Sequence, residues 1–276
     1  MKNNSIGFIG AGSIARTMIA GLVSKGVTDR KRIWVTNRQN RESLQKLREE
    51  FGVNFTYSKK ELLENAGIII IAVKPSDITT VLEEIKPVVD ESQLLISVAA
   101  GVTTQSIEAC IGSRPAVVRC MPNTSCAVGE SATAIAAGMY AGEKHLSAAR
   151  KLFGALGEAV VVDESSMDLV TGLSGSGPAY FYYLVELMEK TAVAAGLSRE
   201  VARKLLFQTI YGAAKMLRDT NEDPSLLRQR VTSPGGTTFA ALEVLKNMGL
   251  EDAVNKAVLK AAVRSRELGV QSIRQG

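Results

Sequence analysis

The stretch Gly7-Phe-Ile-Gly-Ala-Gly-Ser-Ile-Ala15 decides the fold, because it joins an apolar strand to a helix through a turn of small residues. Its pattern is G-x-G-x-x-A, in which Gly10 permits a tight turn and Gly12 lets a ligand approach the backbone. Ala15 leaves room for the helix to pack closely on the strand. With a helix expected at Ser13–Ser24, the pattern predicts a dinucleotide pyrophosphate site at the helix N-terminus.

Outward from this turn, short apolar runs alternate with segments of helical spacing. The apolar runs predict strands at Ile6–Ile9, Ile33–Thr36, 68–73, 94–98 and 117–119, with further strands at Ser131–Ala137 and 159–162. Helical spacing is found at Arg41–Phe51, 78–86 and 143–156. This alternation predicts an α/β fold, a Rossmann-type doubly wound parallel sheet with helices on both faces.

The pattern changes after residue 162, where β-branched runs become rare and helical spacing continues to the end of the chain. We therefore predict two domains, a dinucleotide-binding Rossmann domain at 1–162 and an all-helical domain at 163–276. Ala-rich helices such as residues 253–262 have broad apolar faces, more than the second domain would readily bury alone. This predicts a homodimer formed through the helical domain.

The end of the second strand indicates which cofactor is preferred. Asn37 and Arg38 follow that strand, where an NAD-specific site would have an acidic residue to bind the ribose 2′-hydroxyl. Their donors and positive charge suit a 2′-phosphate, so we expect NADP, with NADPH preferred and NADH a possible alternative. The alternative for Arg38 is a solvated position at the start of the next helix.

The predicted cofactor contacts lie on the glycine turn and at the carboxyl ends of other strands, where an open parallel sheet binds its ligand. They are Ile9, Gly10, Ala11, Gly12, Ser13, Ile14, Asn37, Arg38, Ala72, Val73, Lys74, Pro75, Val98, Ala99 and Ala100. The small residues of the last loop leave room for a flat nicotinamide ring.

Composition excludes several classes of function. With 276 residues, 46% hydrophobic content, a net charge of +5 and only 5% aromatic residues, the chain lacks the basic tracts and stacking platforms of nucleic-acid-binding proteins. Three cysteines without a C-x-x-C pattern and a single histidine, His145, predict no metal site. We expect no signal peptide, because the residues before the first strand lack its apolar region, and the apolar run at 68–73 is too short to span a bilayer. We expect a cytoplasmic protein that acts on a small molecule.

Two segments rich in Ser, Gly and Pro are expected to start helices in the second domain. Val231-Thr-Ser-Pro-Gly-Gly-Thr-Thr238 has Pro234 suited to a first helical position and short hydroxyl donors nearby. Gly172-Leu-Ser-Gly-Ser-Gly-Pro-Ala-Tyr180 repeats this logic around Pro178. Because free amides at a helix start bind anions, the two segments predict a pocket for a small carboxylate. An ordinary capped helix start is the alternative for each segment.

Six segments, in this order, resemble the pyrroline-5-carboxylate reductase family. They are GFIGAG at 7–12, AVKP at 72–75, AAG at 99–101, R-x-M-P-N-T at 119–124, GLSGSGPAY at 172–180 and VTSPGGTT at 231–238. The resemblance implies reduction of 1-pyrroline-5-carboxylate to L-proline with NAD(P)H, the final step of proline biosynthesis. It also implies a Rossmann domain followed by a helical domain that dimerises, with possible assembly into a ring of dimers.

The resemblance also implies the substrate site. It assigns the substrate carboxylate and ring to Ser174, Gly175, Ser176, Gly177, Pro178, Ser233, Gly235, Gly236, Thr237 and Thr238. Thr238 would lie near the imine nitrogen, so we interpret it as the catalytic candidate that orients or protonates this atom. The chain departs from many relatives at Lys59, Ser125, Asn221, Glu222 and Gln229, which bears on individual cofactor and substrate contacts.

Three other functions are alternatives. The β-hydroxyacid dehydrogenases have a catalytic Lys shortly after a similar glycine turn, but here Phe181 occupies that position and the next lysine is Lys190, which disfavours alcohol oxidation. Reduction of another cyclic imine carboxylate depends on pocket shape. A non-catalytic NADP-binding regulatory protein would have degraded Ser/Gly segments, whereas both are intact.

Overall fold

Eight strands form one sheet in the computed structural model, which describes residues 4–38, 40–112 and 114–274, with side chains up to residue 271. The strands are β1 Ile6–Ile9, β2 Ile33–Thr36, β3 Asn54–Thr56, β4 Ile68–Ile71, β5 Leu94–Ser97, β6 Ala116–Met121, β7 Ser131–Ala137 and β8 Gly157–Val161. Their order across the sheet is β3-β2-β1-β4-β5-β6-β7-β8. The first strand lies between β2 and β4, so the glycine turn lies where the chain order reverses.

The sheet is parallel except at one pair, because β7 runs antiparallel to β6. Only residues 122–130 join these two strands, and a parallel crossover needs a dozen or more residues. The next strand, β8, pairs parallel with β7 because the helix Glu143–Gly154 provides the long connection. The strictly parallel sheet of the prediction therefore has one antiparallel pair, set by a short connection.

Helices cover both faces of the sheet. The first six are α1 Ser13–Ser24, α2 Arg41–Phe51, α3 Lys59–Asn65, α4 Ile78–Ile85, α5 Thr104–Ile111 and α6 Glu143–Gly154. Along β4, Ile68 and Ile70 pack in a core with α1, α2 and α6, whereas Ile69 and Ile71 pack in a second core with α3, α4 and α5. Since successive strand side chains point to opposite faces, each face is buried. The predicted doubly wound α/β class is confirmed.

Several predicted boundaries differ from the observed ones. The strands predicted at 68–73 and 94–98 end earlier, at Ile71 and Ser97, because the chain turns into the loops at the sheet edge. The strand predicted at 117–119 is longer and spans Ala116–Met121. The edge strand Asn54–Thr56 was not predicted, since it has only three residues and one buried side chain.

Up to residue 274, where the described part of the chain ends, the regular elements after β8 are all helices. They are α7 Met167–Val170, α8 Gly177–Ala194, α9 Arg199–Thr220, α10 Pro224–Arg230, α11 Thr237–Asn247 and α12 Leu250–Arg274, with a π-helix at Thr171–Gly175 between α7 and α8. The all-helical prediction for the second part of the chain is confirmed. Within the described ranges, every helix is too short or too polar to cross a membrane.

The chain divides into two compact units. Unit 1 comprises Met1–Pro178 together with Val258–Gly276, and unit 2 comprises Ala179–Ala257. Unit 1 thus contains the whole sheet, α7, the π-helix and the C-terminal part of α12. Residue 163 marks the point after which the chain is helical, and its role as a domain boundary stays a prediction.

The packing of α1 on the turn after β6 generates a stability prediction. A Cβ at Gly21 would lie 2.7 Å from the Cys126 carbonyl oxygen and 2.5 Å from Leu156 Cδ2. Although alanine is the better helix former, this contact is too short, so Gly21→Ala should lower the free energy of unfolding by about 1–3 kcal/mol. Urea unfolding followed by circular dichroism measures the change.

The matched control is Gly154→Ala at the end of α6. A Cβ at Gly154 meets no other heavy atom of the described residues within 4 Å. Its stability should be unchanged or higher by up to about 1 kcal/mol. Equal losses in both variants would contradict the packing argument.

Candidate active site

The glycine turn has the geometry that its sequence predicts. Gly10 has a φ of +112°, and a Cβ there would lie 2.4 Å from the carbonyl oxygen of Ala72, directly after the neighbouring strand β4. Its amide donates to the Thr36 carbonyl oxygen at 2.9 Å, which fixes the turn between β2 and β4. Ala15 is fully buried where α1 crosses the sheet. These contacts explain why both positions need small residues.

Gly12 is different, because it faces open space. It is the N-cap of α1, with an extended backbone at φ −80°, and a Cβ there would meet no described atom within 4 Å. The first turn of α1 has no side-chain cap and no acidic residue, so its amides remain available to a ligand. A helix N-terminus with this open approach fits the pyrophosphate of a dinucleotide.

A cleft of about 470 Å³ lies beside the turn and collects residues from three strand ends. It is lined by six of the predicted cofactor residues, Ile9, Gly10, Asn37, Arg38, Val73 and Lys74. It is also lined by six residues that were not among the predicted contacts, Asn40, Lys59, Asp77, Thr80, Val81 and Glu84. Thr80 and Glu84 lie four residues apart on one face of α4. This helical spacing after the loop at 72–75 could have identified both residues as part of the cleft lining.

Lys59 and Arg38, two positively charged residues of the cleft, differ in how available their charges are to a ligand phosphate. Lys59 is largely buried, with its side chain 17% exposed, and its Nζ lies 2.5 Å from Glu84 Oε2. Arg38 is exposed at the cleft wall, and Asn37 Nδ2 donates to Ser43 Oγ at 3.2 Å. Because Glu84 compensates the charge of Lys59, Arg38 is the better candidate for a 2′-phosphate contact.

The remaining predicted cofactor residues lie outside the cleft lining. Ala11, Ser13 and Ile14 lie on the turn and the first turn of α1, and Ala72 and Pro75 flank the cleft residues of their loop. Val98, Ala99 and Ala100 follow β5, with the Val98 amide donating to the Ile71 carbonyl at 3.2 Å. This loop therefore begins beside the loop at 72–75, as the prediction for a nicotinamide position requires.

The segment at 174–178 is largely helical, and the helical structure begins before the helix start that Pro178 predicts. Thr171–Gly175 is a π-helix, and the Ser176 amide donates to the Thr171 carbonyl at 2.9 Å. Pro178 is the second residue of α8, as expected near a helix start, but α8 follows the π-helix almost without interruption. Single-turn π-helices occur frequently at functional sites. The π-helix is therefore a second reason to keep this segment as a candidate for substrate binding.

Close contacts inside unit 1 fix this π-helix. Asn123 Nδ2 donates to the Ser174 carbonyl at 3.1 Å, and a Cβ at Gly175 would lie 2.8 Å from Met121 Cε. On another side, a Cβ at Gly172 would lie 2.5 Å from the Val258 carbonyl oxygen. The R-x-M-P-N stretch thus holds the segment for which substrate contacts are predicted, a structural role that the sequence did not reveal because the partners are 51 residues apart in the chain.

The segment at 233–238 belongs to unit 2 and begins α11, although Pro234 does not start that helix. The helix begins at Thr237 with Gly236 as N-cap, so the predicted helical position of Pro234 is wrong. The Gly236 amide instead donates to the Ser233 carbonyl at 3.0 Å, and Gly235 has a φ of +70°. Proline followed by a glycine of positive φ is the pattern of a type II turn.

This turn leaves the start of α11 open. The first turn has no side-chain cap and no acidic residue. Thr238 is half-buried, and its hydroxyl has no hydrogen-bond partner among the described residues. Free amides and a free hydroxyl at one helix start provide donors for a carboxylate. Convergence of this segment with 174–178 on one ligand stays a prediction.

The three cysteine thiols form no disulfide. Burial raises the pKa of Cys126 to about 11 and raises that of the buried Cys120 above its ordinary value. Burial and a hydrogen bond to Glu83 raise the pKa of Cys110 to about 11. All three thiols are therefore protonated near neutral pH, and thiolate chemistry is not available.

Comparison with known proteins identifies two family matches. Residues 164–268 match the family described as pyrroline-5-carboxylate reductase dimerisation, and residues 5–101 match NADP oxidoreductase coenzyme F420-dependent.

Similar proteins cover nearly the whole chain. Pyrroline-5-carboxylate reductase 1 of Bacillus subtilis is 44% identical over 263 residues, which is 95% of this chain and 89% of the relative. The crystal structure of Plasmodium falciparum pyrroline carboxylate reductase with NADP bound has a TM-score of 0.89 at 30% identity, covering 98% of this chain and 99% of that one. The structure of a pyrroline-5-carboxylate reductase from Coxiella burnetii has a TM-score of 0.86 at 39% identity, covering 96% and 99%.

The two glycines of the turn give opposite predictions. Gly12→Ala should leave the free energy of unfolding within about 0.5 kcal/mol, because its Cβ meets open space. The same Cβ would obstruct the approach of the pyrophosphate, so the NADPH dissociation constant, measured by fluorescence quenching, should rise at least about tenfold.

Gly10→Ala is the contrasting variant. It requires a strained φ of +112° and a contact of 2.4 Å with backbone, so it should destabilise the protein by more than about 2 kcal/mol. Thermal unfolding distinguishes the two variants. A Gly12→Ala protein that binds NADPH as tightly as the parent would contradict the assignment of this turn.

Proposed function

This chain belongs to the pyrroline-5-carboxylate reductase family of NAD(P)-dependent oxidoreductases, and we propose that it reduces 1-pyrroline-5-carboxylate to L-proline with NADPH. The relationship extends over 95% of the chain at 44% identity, so both the cofactor turn and the helical segments are included. The observation that best supports substrate binding is the open start of α11. There, free amides lie beside the hydroxyl of Thr238, which has no hydrogen-bond partner among the described residues.

The cofactor half rests on the turn at Gly10 and Gly12 and on the cleft beside it. The uncapped N-terminus of α1 holds the pyrophosphate, and Arg38 with Asn37 binds the 2′-phosphate. The loop at 98–100 would lie against the nicotinamide. The chemistry that NADPH would supply there is a hydride for the imine carbon. NADH remains an acceptable donor with lower affinity, since it lacks the group that Arg38 would bind.

The residue types of the site suit an imine. A protonated C=N already carries the positive charge that attracts a hydride, so the protein does not need to generate charge at the reacting atom. Its main task is to hold the carboxylate and to orient the ring over the nicotinamide, which is a matter of positioning. The amides and hydroxyls found in each of the segments 174–178 and 233–238 are suited to that task. Thr238 directs its hydroxyl at the imine nitrogen, where it orients this atom or, for an imine that binds unprotonated, passes on a proton that water replaces.

Unit 2 supports the proposal of a homodimer. Its helices expose large apolar side chains, including Phe181, Tyr182, Leu205, Phe207 and Phe239. A groove of about 780 Å³ within this unit is lined by Leu242, Leu245, Leu250 and Val254 among others. An exposed apolar surface of this extent is typical of an interface. Light scattering should give at least twice the chain mass, and a ring of dimers would give a higher even multiple.

We also propose the cytoplasm as its compartment, since three free thiols are compatible with a reducing environment.

The deciding experiment is an assay of cofactor oxidation. NADPH and NADH are tested separately with 1-pyrroline-5-carboxylate and with its six-membered analogue. We expect oxidation with the five-membered ring and a higher kcat/KM with NADPH than with NADH. Preference for the six-membered ring would assign a different cyclic imine as substrate. If the protein binds NADPH but oxidises neither cofactor with either imine, the result would support the non-catalytic alternative.

Replacement of Thr238 tests its role at the imine nitrogen. Thr238→Ala should lower kcat by about 10²-fold, the usual range for loss of a positioned proton donor, without loss of NADPH affinity. Thr238→Ser retains the hydroxyl and should recover most of the activity. Unchanged kinetics in the alanine variant would mean that Thr238 serves only as a polar residue of the helix start.

A further inference from the structure

Arg119 in β6 is a buried arginine with no part in the proposed cofactor and substrate contacts. Its side chain is only 2% exposed. Nη1 lies 3.4 Å from Glu164 Oε1, and Nη2 lies 3.2 Å from Asp168 Oδ1. Among the described residues, its Nε has no hydrogen-bond partner. A buried guanidinium is tolerated only when it is paired, so the two carboxylates hold it in place.

The same two carboxylates bind other elements of unit 1. Glu164 Oε1 accepts from the Thr104 amide at 2.8 Å, and its other oxygen accepts from the Thr104 hydroxyl, so Glu164 caps the start of α5. Asp168 Oδ1 accepts from the buried Ser265 hydroxyl of α12 at 2.8 Å. Arg266 Nε lies 3.6 Å from Asp168 Oδ2. One network therefore joins β6, α5, α7 and α12, and two arginines balance its two acids.

One side of this network lies at the loop that follows β5. Arg119 is the register partner of Ser97, the last residue of β5 and the residue before the loop at 98–100. A Cβ at Gly101 would lie 2.0 Å from the Ser265 carbonyl oxygen, and one at Gly269 would lie 1.9 Å from the Gly101 carbonyl oxygen. The backbone of α12 is thus in direct contact with the end of that loop.

The other side of the network lies at the substrate segment. Asp168 is in α7, and the π-helix that carries Ser174 begins three residues later, at Thr171. The Thr171 hydroxyl donates to the Met167 carbonyl at 2.8 Å, which couples the π-helix to α7. A displacement of α7 would therefore move residues 174–178.

We infer that Arg119 is a positioning residue of the reductase reaction, which through Asp168 and Glu164 fixes the substrate segment at 174–178 relative to the loop at 98–100. This inference rests on the proposed function, because it concerns the alignment of the imine carbon with the hydride donor. It assigns Arg119 no contact with substrate or cofactor. The expected consequence of disturbing the network is misalignment, and a displacement of 1 Å costs about 10²-fold in rate.

Arg119→Lys tests this inference, since it keeps the charge and removes the planar group that reaches both carboxylates. We expect kcat/KM for 1-pyrroline-5-carboxylate to fall about 30- to 100-fold, through both a higher KM for the imine and a lower kcat. The dissociation constant of NADPH without the imine should stay within about twofold, because the residues that hold the pyrophosphate and the 2′-phosphate lie on other loops.

Two further variants complete the design. Arg150→Lys is the matched control, because Arg150 forms an exposed ion pair with Glu143 on α6, and its kinetics should equal those of the parent. Asp168→Asn keeps the size of the side chain and gives the same direction of change, so it serves where Arg119→Lys does not fold. Because both changes disturb one network, the double variant should lose about as much kcat/KM as one single variant, not the product of the two losses.

The outcomes separate the possible roles. All variants are compared at a temperature where thermal unfolding shows them folded. A purely structural role lowers the melting temperature but leaves the KM for the imine within about twofold in Arg119→Lys and Asp168→Asn, and that result would overturn the inference. If the parent and Arg150→Lys oxidise NADPH with neither imine, the proposed function fails and the inference fails with it.

Discussion

The row of residues at the carboxyl edge of the sheet is the constraint on which the site depends. Thr36, Ile9, Ile71, Ser97 and Arg119 lie in register across five neighbouring parallel strands. Each of the first four is followed directly by a loop predicted to contact the cofactor. Buried side chains on both faces of the sheet set the strand register, and the register fixes where each of these loops begins. The positions of the polar site residues therefore depend on apolar side chains that lie outside the site.

Much of this arrangement was predictable because local patterns determine it. The buried runs of β1, β4 and β5 and the glycine turn are each defined by fewer than ten consecutive residues. A strand register and the position of its following loop then follow from the general rules of parallel sheets. A helix start within the segment 231–238 was also predictable, although the type II turn at 233–236 displaced Pro234 from the helix.

The parts that were not predictable depend on contacts between distant segments. Arg119 and Asp168 are 49 residues apart, and Asp168 and Ser265 are 97 apart. No pattern within a strand or a helix indicates such partners. The π-helix at Thr171–Gly175 was missed for a related reason, since Ser and Gly residues favour loops in isolation. There, Asn123, Met121 and the backbone of α12 fix the segment, and tertiary contacts override the local preference.

The charged network around Arg119 also explains why this interface within unit 1 is not simply apolar. Apolar side chains in its place would often stabilise the fold as well or better, because desolvation of ions is costly. Apolar contacts, however, are non-directional and tolerate small shifts in position. Carboxylates that bind a guanidinium, a hydroxyl and a backbone amide accept only a narrow range of geometries. Hydride transfer is sensitive to displacements of that size, so a directional network suits a position between the loop at 98–100 and the segment at 174–178, which we propose for the cofactor and the substrate, better than a more stable apolar contact.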